Sequence, residues 1–215
     1  IYHHLMPHVP GSVSPMIACA RTIKALYPDA GTIFIGPCLA KKAEAREPDL
    51  AGAVDFVLTF QEIQQVFDFA GIDPAALPED DRDHSSRAGR IYARAGGVSE
   101  AVSDTLQRLN PDRSVSIKAQ CADGIPACRQ MIADLQEGRT SANFFEGMGC
   151  VGGCVGGPKT LIPREEGRIH VEHYGQEAIY PTPIDNPYVI ELLHRLGLDS
   201  VEDLLEKSDL FTRNF

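Results

Sequence analysis

The chain has 215 residues, 43% of them hydrophobic and 23% charged, with 30 acidic against 20 basic side chains and a formal net charge of -10. A surface this acidic repels phosphate backbones, so nucleic acid is excluded as an expected partner. The longest apolar runs, "TIFIG" and "VDFVLTF", are strand-length and far short of a bilayer span, and six cysteines are too sparse for a disulfide scaffold.

Residues 14–27, "SPMIACARTIKALY", place apolar side chains at helical spacing, with Ser14 as the cap and Pro15 in the first turn. "GTIFIGP" follows as a short strand ending in Gly36-Pro37 and running into Cys38. "AVDFVLTF" reads as a second buried strand, and "QEIQQVFDFAG" as a helix stopped by Gly71. Residues 72–88, "IDPAALPEDDRDHSSRA", are acidic and rich in breakers, which predicts a mobile surface loop. "GGVSEAVSDTLQRL" reads as a helix opened by a glycine pair, "SVSIKAQC" as a strand and "IPACRQMIADLQEG" as a helix. "ANFFEGMG" is a strand running into "GCVGGCVGGP" at 149–158. In the tail, "GRIHVEHYG" reads as a strand or hairpin, with short helices around 187–196 and 200–207.

Strands alternating with helices indicate an α/β fold with largely parallel sheet. The expected architecture is two lobes of small, mostly parallel sheets flanked by helices, with the functional site in the cleft between them. Function in such sheets gathers at the carboxyl ends of strands. Both cysteine-bearing stretches, 36–44 and 147–158, fall there, and the topology leads us to expect them in one crevice.

The stretch at 149–158 sets two cysteines four apart among five glycines and a proline. Glycine loses the most conformational entropy on folding, so such a run suggests a backbone that must pass close to something. A phosphate loop would need a Gly-Lys-Ser/Thr run opening a helix; here Pro158 stands before Lys159-Thr160, in "PKTLIPREEG". Buried apolar packing is the other bland reading, yet Cys–Val–Gly–Gly–Cys offers little side chain to pack. Thiolates are the usual ligands of iron–sulfur clusters, supplied by short loops plus a remote cysteine, and glycines let amides approach the cluster sulfurs. Cys38, Cys150 and Cys154 would supply three of the four ligands that a cubane takes.

"GPCLAKKAEA" at 36–45 and "FFEGMGCVGGCVGG" at 144–157 resemble the second and third signature motifs of the iron–iron hydrogenases. "AGRIYARAGGVSEAV" at 88–102 is similar to the stretch between them, and "SPM" at 14–16 to the helix start after the first motif. The resemblance runs over most of residues 1–158 and weakens in the tail, where "DNPYVIELLHRLG" carries it. It implies the catalytic domain that reversibly oxidises H2 to protons and electrons on the H-cluster, a 4Fe-4S cubane joined to a diiron subsite bearing carbonyl and cyanide. Cys38, Cys150 and Cys154 would ligate the cubane, with Cys154 bridging to the diiron unit. Lys41 would hydrogen-bond one cyanide, Ser14 and Pro15 would approach the other, and Met148 would pack against the subsite. Gly36 and Pro37 would line the cofactor beside Cys38. A lysine held in a dry pocket stabilises an anionic ligand far more than one in water; otherwise Lys41 would read as a solvated surface lysine.

Three departures from the family pattern stand out. The opening Cys-Cys-Pro motif, which brings the fourth ligand and relays the proton, is not among residues 1–215. Gly36 stands where the catalytic enzymes carry a methionine, which leaves room beside the subsite. The glycine run ends early, in "GGPK". The last two features suggest a diverged branch, some of whose members sense hydrogen for a signalling partner. A non-catalytic relative in iron–sulfur assembly is a further alternative, disfavoured by Lys41.

The chain opens on "IYHHLMPHVPG" without a basic-then-apolar leader. It is therefore expected to be a cytoplasmic fragment of a longer protein, truncated on its N-terminal side, with an electron carrier or with ferredoxin-like or signalling domains in the parent. On its own it is expected to be inactive and metal-free, with 147–158 mobile until iron orders it. Cys19 reads as core, Cys121 and Cys128 as packing before a redox pair or replacement ligand, and the seven histidines as no metal site.

Overall fold

The computed structural model describes residues 3–78 and 84–213. In chain order they form α1 (Pro15–Leu26), β1 (Ile33–Gly36), α2 (Ala40–Glu44), β2 (Phe56–Thr59), α3 (Phe60–Ala70), α4 (Arg87–Arg90), α5 (Gly97–Leu109), β3 (Ala119–Asp123), α6 (Ile125–Gln136), β4 (Phe144–Met148), α7 (Arg164–Gln176), α8 (Pro187–Arg195) and α9 (Val201–Lys207), with short 3-10 turns between them. The chain divides into two units, one of Ile1–Thr59 with Ile190–Phe215 and one of Phe60–Val189. Each holds one two-stranded parallel sheet, as the alternation of strands and helices predicts.

In the first unit, Pro15 occupies the start of α1, where its missing N–H costs nothing. The helix buries Met16, Ile17 and Ala20 against Val13, Leu50, Ala53 and Val54. Ile17 and Leu50 are fully enclosed, and each contributes about 1.5–3 kcal/mol of hydrophobic stabilisation. β1 runs parallel to β2, Ile33 opposite Phe56 through Gly36 opposite Thr59. Phe34 and Val57 therefore pack on the core, while Ile33, Ile35 and Phe56 on the other face are exposed. Asp55 ties the strand entrances together by accepting from the Thr32 amide and hydroxyl and from Lys24.

In the second unit β3 runs parallel to β4, pairing Cys121 with Glu146 and Asp123 with Met148. The side chains of Cys121 and Glu146 face α5, where Ser99 meets both. The opposite face meets α6, where Cys128 and Met131 lie 3.6 Å from the position a side chain at Gly147 would take. The strand expected over 114–121 begins only at Ala119, because the Asn143 side chain bonds Ser116 and Lys118 and holds that approach out of the ladder.

Three expectations are corrected. "GRIHVEHYG" is helical, within α7. Pro163 precedes the first turn, Glu165 and Glu166 sit where the helix dipole favours negative charge, and Arg168–Glu165, His170–Glu166 and His173–Glu177 pair along its surface. What fixes the helix is packing at two buried glycines: a Cβ on Gly175 would stand 2.8 Å from Ile91, and one on Gly167 would stand 3.5 Å from Val155. The predicted loop at 72–88 is anchored over its last residues. His84 stacks on Tyr188 at 3.6 Å, Asn186 donates to the His84 carbonyl, and Ser86 caps α4; residues 79–83 lie outside the described residues. Cys19, read as core, is exposed on α1.

Candidate metal centre

Cys38 follows β1 by two residues, after Pro37, whose ring fixes the backbone angle leading into the turn. It is half-buried, and α2 starts two residues later, so Lys41 stands in that helix. The Lys41 side chain is only 25% exposed, and its Nζ lies 2.5 Å from the Glu44 carboxylate. The fold thus keeps an enclosed, paired ammonium three residues beyond Cys38, which the solvated-lysine reading does not describe.

Gly36 is buried, and its backbone does not require glycine. The constraint is space: a Cβ there would sit 2.8 Å from Phe34 Cε1 and 2.9 Å from Cζ. The room expected beside position 36 is taken by the edge of the Phe34 ring. Ser14 differs from expectation as well. Its backbone is extended as a cap should be, but its side chain makes no cap hydrogen bond, and its buried hydroxyl has no partner among the described residues. A buried hydroxyl left unpaired costs about 1–3 kcal/mol, so this orphan marks a place where a ligand's acceptor atom would be stabilised.

The other half of the cysteine set lies in the second unit. β4 ends at Met148, and Cys150 and Cys154 follow on a loop that the protein itself holds. Gly153 bonds back to the Cys150 carbonyl, Gly156 to Gly153, and Gly157 to Cys154. Ala95 donates to the Gly152 carbonyl at 2.9 Å, and Gly152 donates to the Asp123 carboxylate. Gly153, at φ +86, lies so close to the neighbouring chain that a Cβ would stand 2.6 Å from the Ala95 nitrogen and 2.7 Å from the Arg94 carbonyl carbon. That close approach to residues 94–95 is what glycine permits here. The premise that this loop lacks means to hold itself is therefore corrected: backbone bonds replace the missing apolar surface.

Residues 94–96 are fixed in turn. Glu146, 5% exposed, accepts from the amides of Gly96 and Ser99, each at 2.7 Å, at the start of α5. Arg94 pairs with Glu100 and Glu172, and Glu100 also pairs with Arg87. Burial raises the Glu100 pKa, but hydrogen bonds from Arg94 and Arg87 outweigh it and leave the carboxyl below its ordinary value. Burial, with the Glu146 charge nearby, pushes the Tyr92 phenol up. Sequence reasoning did not find Glu146 or Asp123; the "AGG" before α5 is legible only as a helix opening.

None of the six cysteines is in a disulfide. Cys128 is half-buried, its Sγ 3.3 Å from the Met148 carbonyl oxygen, in keeping with packing. Cys121 is exposed, 3.2 Å from Ser99 Oγ. The two lie on opposite sides of the sheet, so they form neither a redox pair nor a joint packing site. Among the described residues, no group of three or more His, Cys, Asp or Glu side chains is gathered to hold a single metal ion. A cubane spreads its thiolates over its irons, and each unit carries donors of the kind it takes: a thiol, a partly enclosed ammonium and a Ser14 hydroxyl without a partner among the described residues in the first, and two thiols on one strand-end loop in the second. In donor chemistry the residues of each unit fit the group.

Residues 1–158 match the family described as iron only hydrogenase large subunit, C-terminal domain. The chain is 29% identical to the periplasmic Fe hydrogenase large subunit of Nitratidesulfovibrio vulgaris, over 75% of this chain and 48% of that protein. It is 27% identical to the NADP-reducing hydrogenase subunit HndD of Solidesulfovibrio fructosivorans, over 76% of this chain and 34% of that protein. The chain thus spans about half, and about a third, of the lengths of these relatives. In fold it is similar to a solved FeFe-hydrogenase studied for oxygen inactivation through its H cluster 2Fe subcluster, with TM-score 0.73 and 19% identity, covering 100% of this chain and 70% of that one. It is also similar to an apo variant of FeFe-hydrogenase HydA1 from Chlamydomonas reinhardtii, with TM-score 0.71 and 20% identity, covering 100% and 71%.

Proposed function

Because the chain belongs to the family formed by the C-terminal domains of iron-only hydrogenase large subunits, we propose that it is the H-cluster domain of an iron–iron hydrogenase that reversibly oxidises H2 to protons and electrons. The observation that carries the reading is the loop holding Cys150 and Cys154 in a defined conformation at the carboxyl end of β4. In the other unit, Cys38 stands at the same end of β1. In this proposal Cys38, Cys150 and Cys154 would hold the 4Fe-4S cubane, with Cys154 also the residue that would connect it to the diiron subsite. When bound, the cofactor supplies the iron chemistry that interconverts H2 with protons and electrons.

The protein's part is to bind and orient. Lys41, whose ammonium Glu44 already holds, would direct a charge-assisted hydrogen bond at one cyanide. Ser14 and Pro15 would approach the other cyanide, and the Ser14 hydroxyl, without a partner among the described residues, supports that assignment. Met148, Gly36 and Pro37 line the cofactor. The fourth thiolate is proposed to come from outside residues 1–215, and electrons to pass to a carrier or a ferredoxin-like domain. A cytoplasmic location is part of the same proposal. In a second reading the domain senses hydrogen for a signalling partner, favoured by the side-chainless position 36 with Phe34 against it.

The test is hydrogen uptake and evolution by the parent protein expressed with its maturation machinery. The enzyme reading expects turnover that Cys38→Ser, Cys150→Ser and Cys154→Ser each abolish, and none from residues 1–215 alone. Turnover surviving all three substitutions would end it. H2-dependent signalling with negligible turnover would select the sensor.

A further inference from the structure

We infer that Glu146 and Asp123 are positioning residues: two carboxylates that clamp the Cys150–Cys154 loop in a ligand-ready conformation before any metal arrives. The inference rests on the reading of Cys150 and Cys154 as cluster ligands and adds what holds them.

Asp123, at the end of β3, takes the amide of Gly152, between the two cysteines. The carbonyl of the same residue takes the amide of Ala95, and Gly153 bridges Arg94. The loop is thus gripped from two sides, by a carboxylate and by the backbone of 94–95. That backbone leads into α5 through Gly96 at φ +78, and Arg94 is held by Glu100 and Glu172. Glu146 adds a buried anchor to this segment by accepting from the amides of Gly96 and Ser99. A carboxylate this enclosed is costly unless its oxygens are bonded. Two short amide bonds at the start of a 13-residue helix, where the dipole favours an anion, offset that cost.

The two acids occupy neighbouring positions of one sheet face, Asp123 opposite Met148 and Glu146 two residues before it. They flank the strand end from which both cysteines are delivered. Amides at Gly96, Ser99 and Gly152 are committed to these carboxylates. The clamp therefore fixes which loop amides remain to face a cluster, and hydrogen bonds to cluster sulfurs tune its electronic state.

Glu146→Gln keeps the shape but leaves one acceptor oxygen for two donors and turns an NH2 on a backbone N–H. Asp123→Asn weakens the grip from the loop side and serves if the first variant folds poorly. Asp134→Asn, which touches only surface bonds from Arg139 and Gln130, is the control. In the metal-free chain, amide hydrogen exchange over 149–157 is expected to quicken by about tenfold or more in the first two variants. α3 and the control should be unchanged. A cubane is then assembled anaerobically with ferrous iron, sulfide and mercaptoethanol as fourth thiolate. The expected result is a shifted electron paramagnetic resonance spectrum of the reduced cluster in Glu146→Gln and Asp123→Asn.

Unchanged exchange in both variants overturns the clamp. Faster exchange with a wild-type spectrum overturns the positioning role, because the acids then serve the fold alone. A wild-type chain that takes up no cubane overturns the ligand-ready loop. Failure of the hydrogenase reading is a separate result: cluster and clamp respond as stated, but the matured parent lacks infrared bands of bound carbonyl and cyanide.

Discussion

Adding a single methyl group at Gly36 tests why that position is bare. In Gly36→Ala the new Cβ would lie 2.8–2.9 Å from the Phe34 ring, against about 3.5–4.0 Å for a relaxed carbon contact. The ring must retreat by roughly 0.7–1 Å into the cluster around Met16, Ile17 and Leu50 on which it packs. Overpacking of this kind costs about 1–3 kcal/mol, and the stiffer unfolded chain returns about 0.4–1 kcal/mol, since the backbone angle suits alanine. The net expectation is a loss of about 1–2 kcal/mol, or roughly 4–16 °C in the melting point of a unit of this size. Phe34→Leu alone destabilises by loss of ring contacts. With the ring gone, Gly36→Ala should be neutral or stabilising, giving a coupling of about 1–2 kcal/mol. A double-mutant cycle by urea denaturation, with a probe in the first unit, measures it. Single effects that add within about 0.5 kcal/mol would refute the claim that Phe34 occupies the missing side chain's space.

Three further outcomes are expected. Ser14→Ala removes a buried hydroxyl without a partner, so the metal-free chain should be unchanged or steadier by up to about 1 kcal/mol; a clear loss in urea denaturation would reveal a bond absent here. Gly153→Ala combines φ +86 with a 2.6 Å approach to the Ala95 nitrogen and should cost about 2–5 kcal/mol; thermal unfolding that differs little from wild type would contradict the close-approach argument. Asp55 is held at about 2, below its ordinary 3.8, first by the Thr32 amide and then by Lys24 and the Thr32 hydroxyl. Its contribution is complete above 3.8 and lost as pH falls through about 2. Acid unfolding followed across that window should be shallower in Asp55→Asn, and equal slopes would remove Asp55 from the account.

The strand–helix alternation was legible because its punctuation is local. Pro15 opens α1, Gly71 at φ +67 stops α3, and Gly36-Pro37 ends β1. The cysteine stretches were legible for the same reason, as breaker-rich runs after apolar ones. α7 was not: Ile169 and Val171 alternate, and the helix is settled by contacts of Gly167 and Gly175 with residues far along the chain. Glu146 and Asp123 were illegible because an acid on a short strand reads as solvent-facing until its amide partners, 47 and 29 residues away for Ser99 and Gly152, are known. Nor does sequence distinguish a glycine needed for its backbone angle from one, like Gly36, needed because Phe34 lies against it.

The central claim is that this domain holds the H-cluster through Cys38, Cys150 and Cys154. It is tested most directly by infrared spectroscopy of the matured parent protein, with iron and sulfide determined on the same sample. The account predicts stretching bands of metal-bound carbonyl and cyanide, iron enough for a cubane and a diiron unit, and loss of the bands in Cys154→Ser. A matured parent that is iron-loaded but lacks those bands, or keeps them in Cys154→Ser, would contradict it.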